Sequence, residues 1–480
     1  MLELRKDARP KIGVFAIGLA AYWPQFEMLY PRLQGYLSQI EKQISEWADV
    51  VSGEMVDSAE KAREAGARFA QEQVDLIFIY AATYATSAQV LPALQQTRVP
   101  AIVLNLQPTS TLDYEAMTTA EWLANCSACC VPEIGGALTR SRLPFKVISG
   151  TLEKNSSAWA EMEAWCRAAG AARALRTARF GVLGHTYPGM LDLYTDFTAI
   201  HGQLGSHVEV LEIDDLVARV RVVTDQDIRE KIHEIENMFD VASPSGDPIA
   251  ALMEPEDLAW SARVAVGLDR LVKDFNLNGL TYYYRGLEEN ENERIIAGII
   301  VGASLLTARG IPCSGEGDLK NALAMLLMDR LNAGGSYTEI YAMDLQDQFV
   351  LMGHDGPGHI AISEQRPVLR KLNLYHGKSG FGASVEFKVK QGPVSILGVT
   401  QRADGALKFL VSEGESIAGP TFRIGNTNSR IRFPSDPATF VSRWSEEGPT
   451  HHVALGVGQV GGLLEKVGYL LEVQTVRVDR

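Results

Sequence analysis

Strand-length apolar runs recur through the first two thirds of the chain, and stretches with helical periodicity separate them. The first run is Lys11-Ile-Gly-Val-Phe-Ala-Ile17, and further runs lie at 74–80 and 99–105, after a helical stretch at about 24–47. Apolar runs joined by helices predict a parallel sheet of the doubly wound type, Rossmann-like or flavodoxin-like. We therefore expect an α/β domain over residues 1–176.

A break at 149–155 contains Ser, Lys and Asn, and an Ala-rich helix follows it. The same alternation of strands and helices then restarts. It predicts a second α/β domain over residues 177–332. Its expected strands lie at 179–184, 208–213 and 277–284, and its expected helices at about 224–239 and 257–275.

The pattern changes after residue 332 to short runs with period-2 alternation, punctuated by Gly, Pro and Asp. Such runs are typical of an antiparallel sheet or barrel. We expect a β-rich, barrel-like third domain over residues 333–480. Its expected strands are 384–389, 394–400, 406–411 and 431–433.

Size and charge exclude several classes of protein. A chain of 480 residues is too long for one hydrophobic core, and its 46% hydrophobic content supplies several. The formal net charge is -14 and no basic cluster stands out, so we expect no nucleic-acid partner. The sequence contains no run of about 18 apolar residues, so we expect no membrane span.

Cysteine use and the N-terminus indicate the cytoplasm. The chain has five cysteines, an odd number that argues against a disulfide framework. The first ten residues are charged and lack the apolar core of a signal peptide. We therefore expect a cytoplasmic protein without a membrane partner.

Two carboxylates and a set of imidazoles form a candidate divalent-metal site. Glu316 lies in Ser314-Gly-Glu-Gly-Asp-Leu-Lys320, Glu339 follows Gly334-Gly335, and His354 lies in Met352-Gly-His-Asp-Gly356. The pair His451-His452 comes about a hundred residues later. Manganese and magnesium favour carboxylate oxygen, and manganese also accepts imidazole nitrogen. Such a set leaves coordination positions for adjacent oxygens of a polyol.

Each of these residues also has a structural alternative. Glu316 could cap a helix that begins near Leu319, because an acid suits a helix N-terminus. His354 could be an ordinary loop histidine. On a strand, His451 and His452 would face opposite sides.

The segment Cys126-Ser-Ala-Cys129-Cys130 has a C-x-x-C spacing. No second pair completes a zinc site, which leaves a thiol redox role as the alternative. The glycines after the first strand do not form a G-x-G-x-x-G fingerprint, and neither a P-loop nor a G-x-S-x-G elbow is present.

The ordered set of short motifs resembles one known group of enzymes. Gly315-Glu-Gly-Asp-x-Lys320, Gly334-Gly-x-x-x-Glu339, Gly353-His354 and His451-His452 are similar to motifs of the L-arabinose isomerase and L-fucose isomerase superfamily. The match is best over about 296–360. The resemblance implies two α/β domains and a β-rich C-terminal domain.

The resemblance also implies a site and a chemistry. The metal ligands would be Glu316, Glu339, His354 and His452, because the second His of the pair is the ligand in arabinose isomerases. The metal would be Mn²⁺, with Mg²⁺ or Co²⁺ as alternatives. Glu316 and Glu339 would also be the catalytic residues of an aldose–ketose isomerase that acts through an enediol. Members of the superfamily form homo-oligomers, commonly hexamers, so we expect a hexameric or trimer-based assembly.

The chain departs from the arabinose isomerase pattern in its first domain. Where those enzymes carry Asn-Gln-x-x-His, this chain carries Asn125-Cys-Ser-Ala-Cys129, so Cys126 and Cys129 would replace two sugar-contacting polar groups. Thiols are softer and less polar, and each unpaired polar group on a sugar costs ~1–3 kcal/mol. We therefore expect the substrate to be a free sugar other than L-arabinose.

Three further residues are candidates for sugar contacts. Trp23 follows the first strand and could stack on a sugar face or belong to the core. His185 and Tyr187 follow the first strand of the second domain, where open α/β sheets bind ligands. Two alternative functions remain: a metal-dependent epimerase or other enediolate enzyme on a sugar or sugar acid, and a non-catalytic sugar-binding protein.

Overall fold

The N-terminal apolar runs form the central strands of a parallel sheet. The computed structural model describes residues 9–154, 156–285, 290–372 and 382–479. The described part of the chain divides into two compact units, within residues 7–173 and residues 174–480. In the described part of unit 7–173, five parallel strands follow the order β2-β1-β3-β4-β5, which is the flavodoxin-like arrangement. They are β1 Lys11–Ile17, β2 Asp49–Val56, β3 Leu76–Ala81, β4 Ala101–Gln107 and β5 Phe145–Thr151.

Helices connect these strands, as the apolar periodicity predicts. The expected helix at 24–47 is shorter in the structure, where Leu29, Leu33, Leu37 and Ile40 form its buried face. The break expected at 149–155 is partly wrong, because the edge strand β5 extends to Thr151. The helices are α1 Leu29–Ile44, α2 Ala59–Glu72, α3 Leu91–Thr97, α4 Thr119–Ala124, α5 Val131–Arg140 and α6 Ser157–Arg176.

The second unit begins with another parallel sheet, whose described strands follow the order β11-β10-β6-β7. The strand expected at 179–184 is confirmed as β6, and the run at 277–284 contains β10. The strands of this unit are β6 Arg179–Gly184, β7 His207–Leu211, β8 Asp240–Val241, β9 Ala250–Ala251, β10 Gly279–Tyr283, β11 Cys313–Ser314, β12 Gly334–Asp344, β13 Phe349–His354, β14 Val368–Leu372, β15 Ser384–Glu386, β16 Gly392–Gln401, β17 Leu407–Ile417, β18 Thr427–Arg432, β19 His452–Val457 and β20 Gln474–Arg477.

An antiparallel barrel follows the second parallel sheet, which confirms the fold class. Among the described strands, six close a ring in the order β16-β19-β12-β13-β18-β17, because β16 and β17 also pair with each other. β20 adds to β17 in parallel, and β8, β9, β14 and β15 form a small separate sheet. The apolar core of the barrel includes Val394, Ile396, Leu410, Ile431 and Leu455.

The helices of this unit cover its sheets. α13 is buried along nearly its whole length and packs against β12, β16 and β19. In the part of the chain that the structure describes, no helix is both long enough and apolar enough to cross a membrane. The helices are α7 Phe197–Leu204, α8 Ile213–Arg221, α9 Asp225–Met238, α10 Pro255–Asp274, α11 Glu291–Ala297, α12 Ile300–Ala308, α13 Leu319–Arg330, α14 Pro437–Glu446 and α15 Gly461–Leu470.

Candidate metal centre

The loop between β11 and α13 carries Glu316 in a constrained conformation. Glu316 has a φ of 60°, in the left-handed region that is costly for a residue with a Cβ. The next residue, Gly317, has a φ of 73°, and a Cβ there would lie 2.6 Å from the Cα of Thr186. The Gly317 amide donates to the carbonyl of Tyr282, and the Tyr187 amide donates to the carbonyl of Glu316. The loop is therefore fixed against the carboxyl ends of β6 and β10.

The barrel supplies the other donors. Glu339 on β12 lies directly opposite His452 on β19 and opposite Gly353 on β13, one residue before His354. Opposite residues of an antiparallel pair project from the same face, so Glu339 and His452 are neighbours. The ring centroids of His354 and His452 are 5.1 Å apart.

All four residues that the resemblance implies as ligands therefore lie at one place. Donor atoms of Glu339, His354 and His452 lie within 4.8 Å of one another, and so do those of Glu316, His451 and His452. His452 belongs to both groups and is 1% exposed. The structure thus brings His451 to the site as well.

His451 and His452 do not face opposite sides, so that expectation is wrong. β19 begins at His452, and His451 precedes it, outside the alternation of the strand. The Nε2 atoms of His452 and His451 lie 3.3 Å and 3.8 Å from Oε2 of Glu316. Both imidazoles therefore point toward the same carboxylate.

Two further carboxylates hold these imidazoles in place. Nδ1 of His452 lies 2.9 Å from Oδ2 of Asp318, which is fully buried. Nδ1 of His451 lies 2.6 Å from Oδ2 of Asp192, which also accepts from the His451 amide. A carboxylate at one ring nitrogen fixes the ring orientation and leaves the other nitrogen to a metal or a proton.

Asp318, not Glu316, caps the helix that begins at Leu319. α13 begins at Leu319, as expected, but its N-cap is Asp318, whose side chain accepts from the amide of Asn321. Glu316 is thus not the cap of this helix. Its carboxylate faces the imidazoles instead.

Asp192 is held by a buried lysine. Nζ of Lys320 donates to the carbonyls of Asp192 and Tyr194 at 2.7 Å and 3.0 Å, and Lys320 is 2% exposed. Tyr337 completes the surroundings, with its hydroxyl 2.9 Å from Nε2 of His452.

The electrostatics of the site separate its two glutamates. Burial alone would raise the pKa of Glu316, but the imidazoles of His451 and His452 hold that pKa well below its usual range. Burial raises the pKa of Glu339, and the imidazole of His452 offsets this only in part. Burial alone would lower the pKa of His452, but Asp318 and Glu316 raise it to about 9.

The donor set fits a divalent cation. Oε2 of Glu316 is buried and meets hydrogen-bond geometry with no described residue, although Nε2 of His452 lies 3.3 Å from it. Two glutamates and the imidazoles that surround it are the ligand types that Mn²⁺ accepts. A cation between them would satisfy this oxygen.

The candidate sugar contacts are divided between the two units. Tyr187 and His185 adjoin the Glu316 loop, and both rings pack on Tyr283. In the other unit, Nε1 of Trp23 donates to Asp57, which shows it to be partly a structural residue. Cys126 and Cys129 lie in the turn before α5. None of these five is shown to touch a sugar.

Sequence reasoning missed Asp318, Asp192, Tyr337 and the approach of His451. The sequence could have indicated Asp318, because it lies two residues after Glu316 at the predicted helix start. Asp192 had none, since it lies in a turn 259 residues before His451.

The chain is similar to known sugar isomerases. Residues 195–334 match the family model of the L-arabinose isomerase central domain. The chain is 24% identical over 383 residues to L-arabinose isomerase 1 of Bacillus licheniformis, covering 78% of this chain and 74% of that protein.

Two other relatives are similar over shorter spans. The L-arabinose isomerase of Koribacter versatilis is 27% identical over 279 residues, which cover 55% of this chain and 52% of that enzyme. The sulfoquinovose isomerase of Alkalicoccus urumqiensis is 22% identical over 307 residues, which cover 64% of this chain and 66% of that enzyme. The two parallel sheets, the barrel and the ordered Glu and His motifs agree with these matches, which support a member of the L-arabinose isomerase-like superfamily.

Proposed function

We propose that this protein is a Mn²⁺-dependent aldose–ketose isomerase that acts on a free sugar other than L-arabinose through an enediol. The observation that carries the proposal is a pair of donor groups that share His452 and together contain Glu316, Glu339 and His354. The relatives are sugar isomerases, which supports the same class of reaction.

Glu316, Glu339, His354 and His452 would hold the ion. A bound divalent cation polarises neighbouring hydroxyl and carbonyl oxygens and stabilises the negative charge that develops on them. Mg²⁺ or Co²⁺ are the alternative ions. The donor types favour Mn²⁺, because carboxylate and imidazole are present in equal number.

The glutamates carry the proton transfers. One of Glu316 and Glu339 removes the proton from C2 of the open-chain aldose, and the other moves a proton between the C1 and C2 oxygens. Two carboxylates in different surroundings can hold different protonation states, as acid–base catalysis requires. His451, oriented by Asp192, presents Nε2 toward Glu316 and can exchange protons at this end of the site.

Two parts of the proposal concern the substrate and the assembly. Cys126 and Cys129, in place of the Gln and His of arabinose isomerases, support a sugar with a less polar contact at that position. The assembly is proposed to be a homo-oligomer, hexameric or trimer-based, which sedimentation of the purified protein would measure.

The first experiment is elemental analysis of the protein after incubation with Mn²⁺ and dialysis. We expect near-stoichiometric manganese in the wild type and its loss in His452→Ala, because His452 belongs to both donor groups. His233→Ala, on the exposed face of α9 and outside both donor groups, is the matched control and is expected to keep its metal. A wild type that takes up no metal would refute the proposed metal dependence.

The second experiment is a screen of aldoses and ketoses with the metal-loaded protein, with products identified by chromatography. Glu316→Gln is expected to lower turnover by roughly 10²–10⁴-fold while the protein stays folded. Products epimeric at one carbon, rather than the ketose, would favour the epimerase alternative. Retained turnover in Glu316→Gln would contradict the mechanism.

A further inference from the structure

Two free thiols lie side by side in unit 7–173. Sγ of Cys126 is 2.8 Å from Sγ of Cys129, and the Cys129 thiol donates to the carbonyl of Cys126 at 3.1 Å. The residues lie in consecutive hydrogen-bonded turns, Cys126 to Leu123 and Cys130 to Ser127, just before α5. One turn ends at Cys126 and the next contains Cys129, and the Cys129 thiol bonds back to the Cys126 carbonyl, which keeps the two sulfurs adjacent.

The pair differs from the other cysteines in access and partners. Cys129 is exposed, whereas the other four of the five cysteines are buried. The neighbouring Cys130 thiol points elsewhere, to the carbonyls of Ser127 and Thr83. Cys166 is 1% exposed and lies on α6. Oxidants in solution therefore reach one thiol of a matched pair.

A metal is a poorer occupant of this pair. Zinc sites need three or four protein ligands, and none of the groups of three or more possible ligands among the described residues includes a cysteine. The remaining chemistry of two adjacent thiols is oxidation to a disulfide, which needs an S–S distance of about 2.05 Å and side chains that already face each other. A small closure of the two sulfurs meets that requirement.

We propose that Cys126 and Cys129 form a reversible redox dithiol, which closes to an intrachain disulfide when it meets a low-molecular-weight disulfide. This modification site does not depend on the proposed isomerase activity. The Cys129 thiolate attacks one sulfur of the oxidant and releases one thiol. The Cys126 sulfur then attacks Sγ of Cys129 in the mixed disulfide, loses its proton and releases the second thiol. Two electrons and two protons thus pass to the oxidant.

The order of the two steps follows from exposure. Cys129 is accessible, whereas Cys126 is 5% exposed. Burial also raises the pKa of the Cys126 thiol to about 12, so little thiolate is present there to attack an external disulfide. Cys126 is the resolving thiol, because its partner is already in contact.

The test uses the reduced full-length protein with oxidised glutathione as the probe. After incubation, the protein is denatured, its remaining thiols are labelled with N-ethylmaleimide, and its mass is measured intact and after tryptic digestion. We expect the wild type to lose two labelled thiols, both from the peptide 99–140, without a stable glutathione adduct. Dithiothreitol should restore both. A wild type that keeps all five thiols would overturn the proposal.

Three serine variants separate the roles of the neighbouring thiols. Cys126→Ser is expected to stop at a glutathione adduct on Cys129, and Cys129→Ser to show neither adduct nor disulfide. Cys130→Ser is the matched control and should behave as the wild type does. Loss of two thiols in Cys126→Ser or Cys129→Ser would overturn the assignment. The wild-type peptide mass decides the matter if a variant fails to fold, which circular dichroism would show.

Discussion

The residues that hold the imidazoles would decide how well the proposed site binds a cation. Asp318 is fully buried and joins two structures, because Oδ1 accepts from the amide of Asn321 at the start of α13 and Oδ2 contacts Nδ1 of His452. The helix cap needs only an acceptor oxygen, whereas the imidazole responds to the charge. A neutral isostere should therefore separate the two roles.

Asp318→Asn is expected to weaken Mn²⁺ binding by about 10–100-fold, because loss of an orienting carboxylate typically has an effect of this size. Asn is as good an N-cap as Asp, so the helix start should be kept, but the metal-free protein should lose stability because the buried His452 imidazole loses its charge partner. Calorimetric titration with Mn²⁺ measures the affinity. Asp436→Asn, which changes the N-cap of α14, is the control and should bind Mn²⁺ as the wild type does. Equal affinity in both variants would contradict the role of Asp318.

A second prediction concerns Asp57 in unit 7–173 and the pH dependence of the stability of the protein. Burial would raise the pKa of Asp57, but hydrogen bonds from Lys61 and Trp23 outweigh it and lower that pKa. A carboxyl whose pKa falls on folding stabilises the fold above its unfolded pKa of about 3.9, and this contribution is lost as the pH falls through the folded value. Asp57→Asn should thus destabilise the protein near neutral pH by roughly 1 kcal/mol.

Melting temperatures of the wild type and Asp57→Asn, measured from neutral to acid pH, test this expectation. The difference should shrink as the pH falls below about 4, since Asp57 is then becoming protonated in the wild type. Asp113→Asn, an exposed turn residue, is the control. A difference that stays constant with pH would show that the charge of Asp57 does not matter.

At the scale of elements, the sequence predicts the central strands of the first parallel sheet well and its edge strands poorly. β1 and β6 match their predicted bounds, because each is a continuous apolar run inside a parallel sheet. β2 and β5 were missed, and both are edge strands with largely exposed or half-buried residues. An edge strand lacks the apolar run on which the prediction rests, so no local signal was present.

In the candidate site, some features could be predicted from neighbouring residues, whereas others depend on residues that are distant in the sequence. The loop of Glu316 and the helix start at Leu319 follow from local sequence and motif order. The register that sets Glu339 opposite His452 joins residues more than a hundred positions apart. The closure of the barrel through β16 and β17 likewise depends on tertiary pairing. Sequence patterns predict an antiparallel sheet there and leave its closure open.

The loop between β11 and α13 gives an element-scale prediction. Gly317→Ala places a Cβ 2.6 Å from the Cα of Thr186 at a φ of 73°, so steric clash adds to left-handed strain. The strain alone costs about 1 kcal/mol or more. Gly405→Ala is the matched control, with a φ of 83° and nothing within 4 Å of its Cβ.

Urea unfolding of both variants separates the two causes. We expect Gly317→Ala to lose clearly more stability than Gly405→Ala and to bind Mn²⁺ more weakly, since the Glu316 loop must move. Similar losses in the two variants would show that the approach of Thr186 to Gly317 is not tight. The loop would then not be the rigid support that its hydrogen bonds suggest.

At the scale of the whole molecule, the candidate metal donors all belong to one of the two compact units. Glu316, Glu339, His354, His451 and His452 lie within residues 174–480. They come from the loop after a parallel sheet and from three strands of the barrel, so the site joins two parts of that unit that are distant in sequence. A cation bound there would stabilise the contact between them.

Hydrogen exchange with and without Mn²⁺ measures this effect directly. A ligand that binds only the folded state at a hundred times its Kd stabilises that state by about 2.7 kcal/mol. Amides around the Glu316 loop, the centre of β12 and the start of β19 should therefore exchange more slowly when Mn²⁺ is added. The same peptides in His452→Ala should show no change, which controls for non-specific binding of Mn²⁺ to this acidic chain. Protection confined to exposed acidic turns such as 344–348 would place the ion elsewhere. Protection of all three segments together would mean that one cation joins the parallel sheet to the barrel.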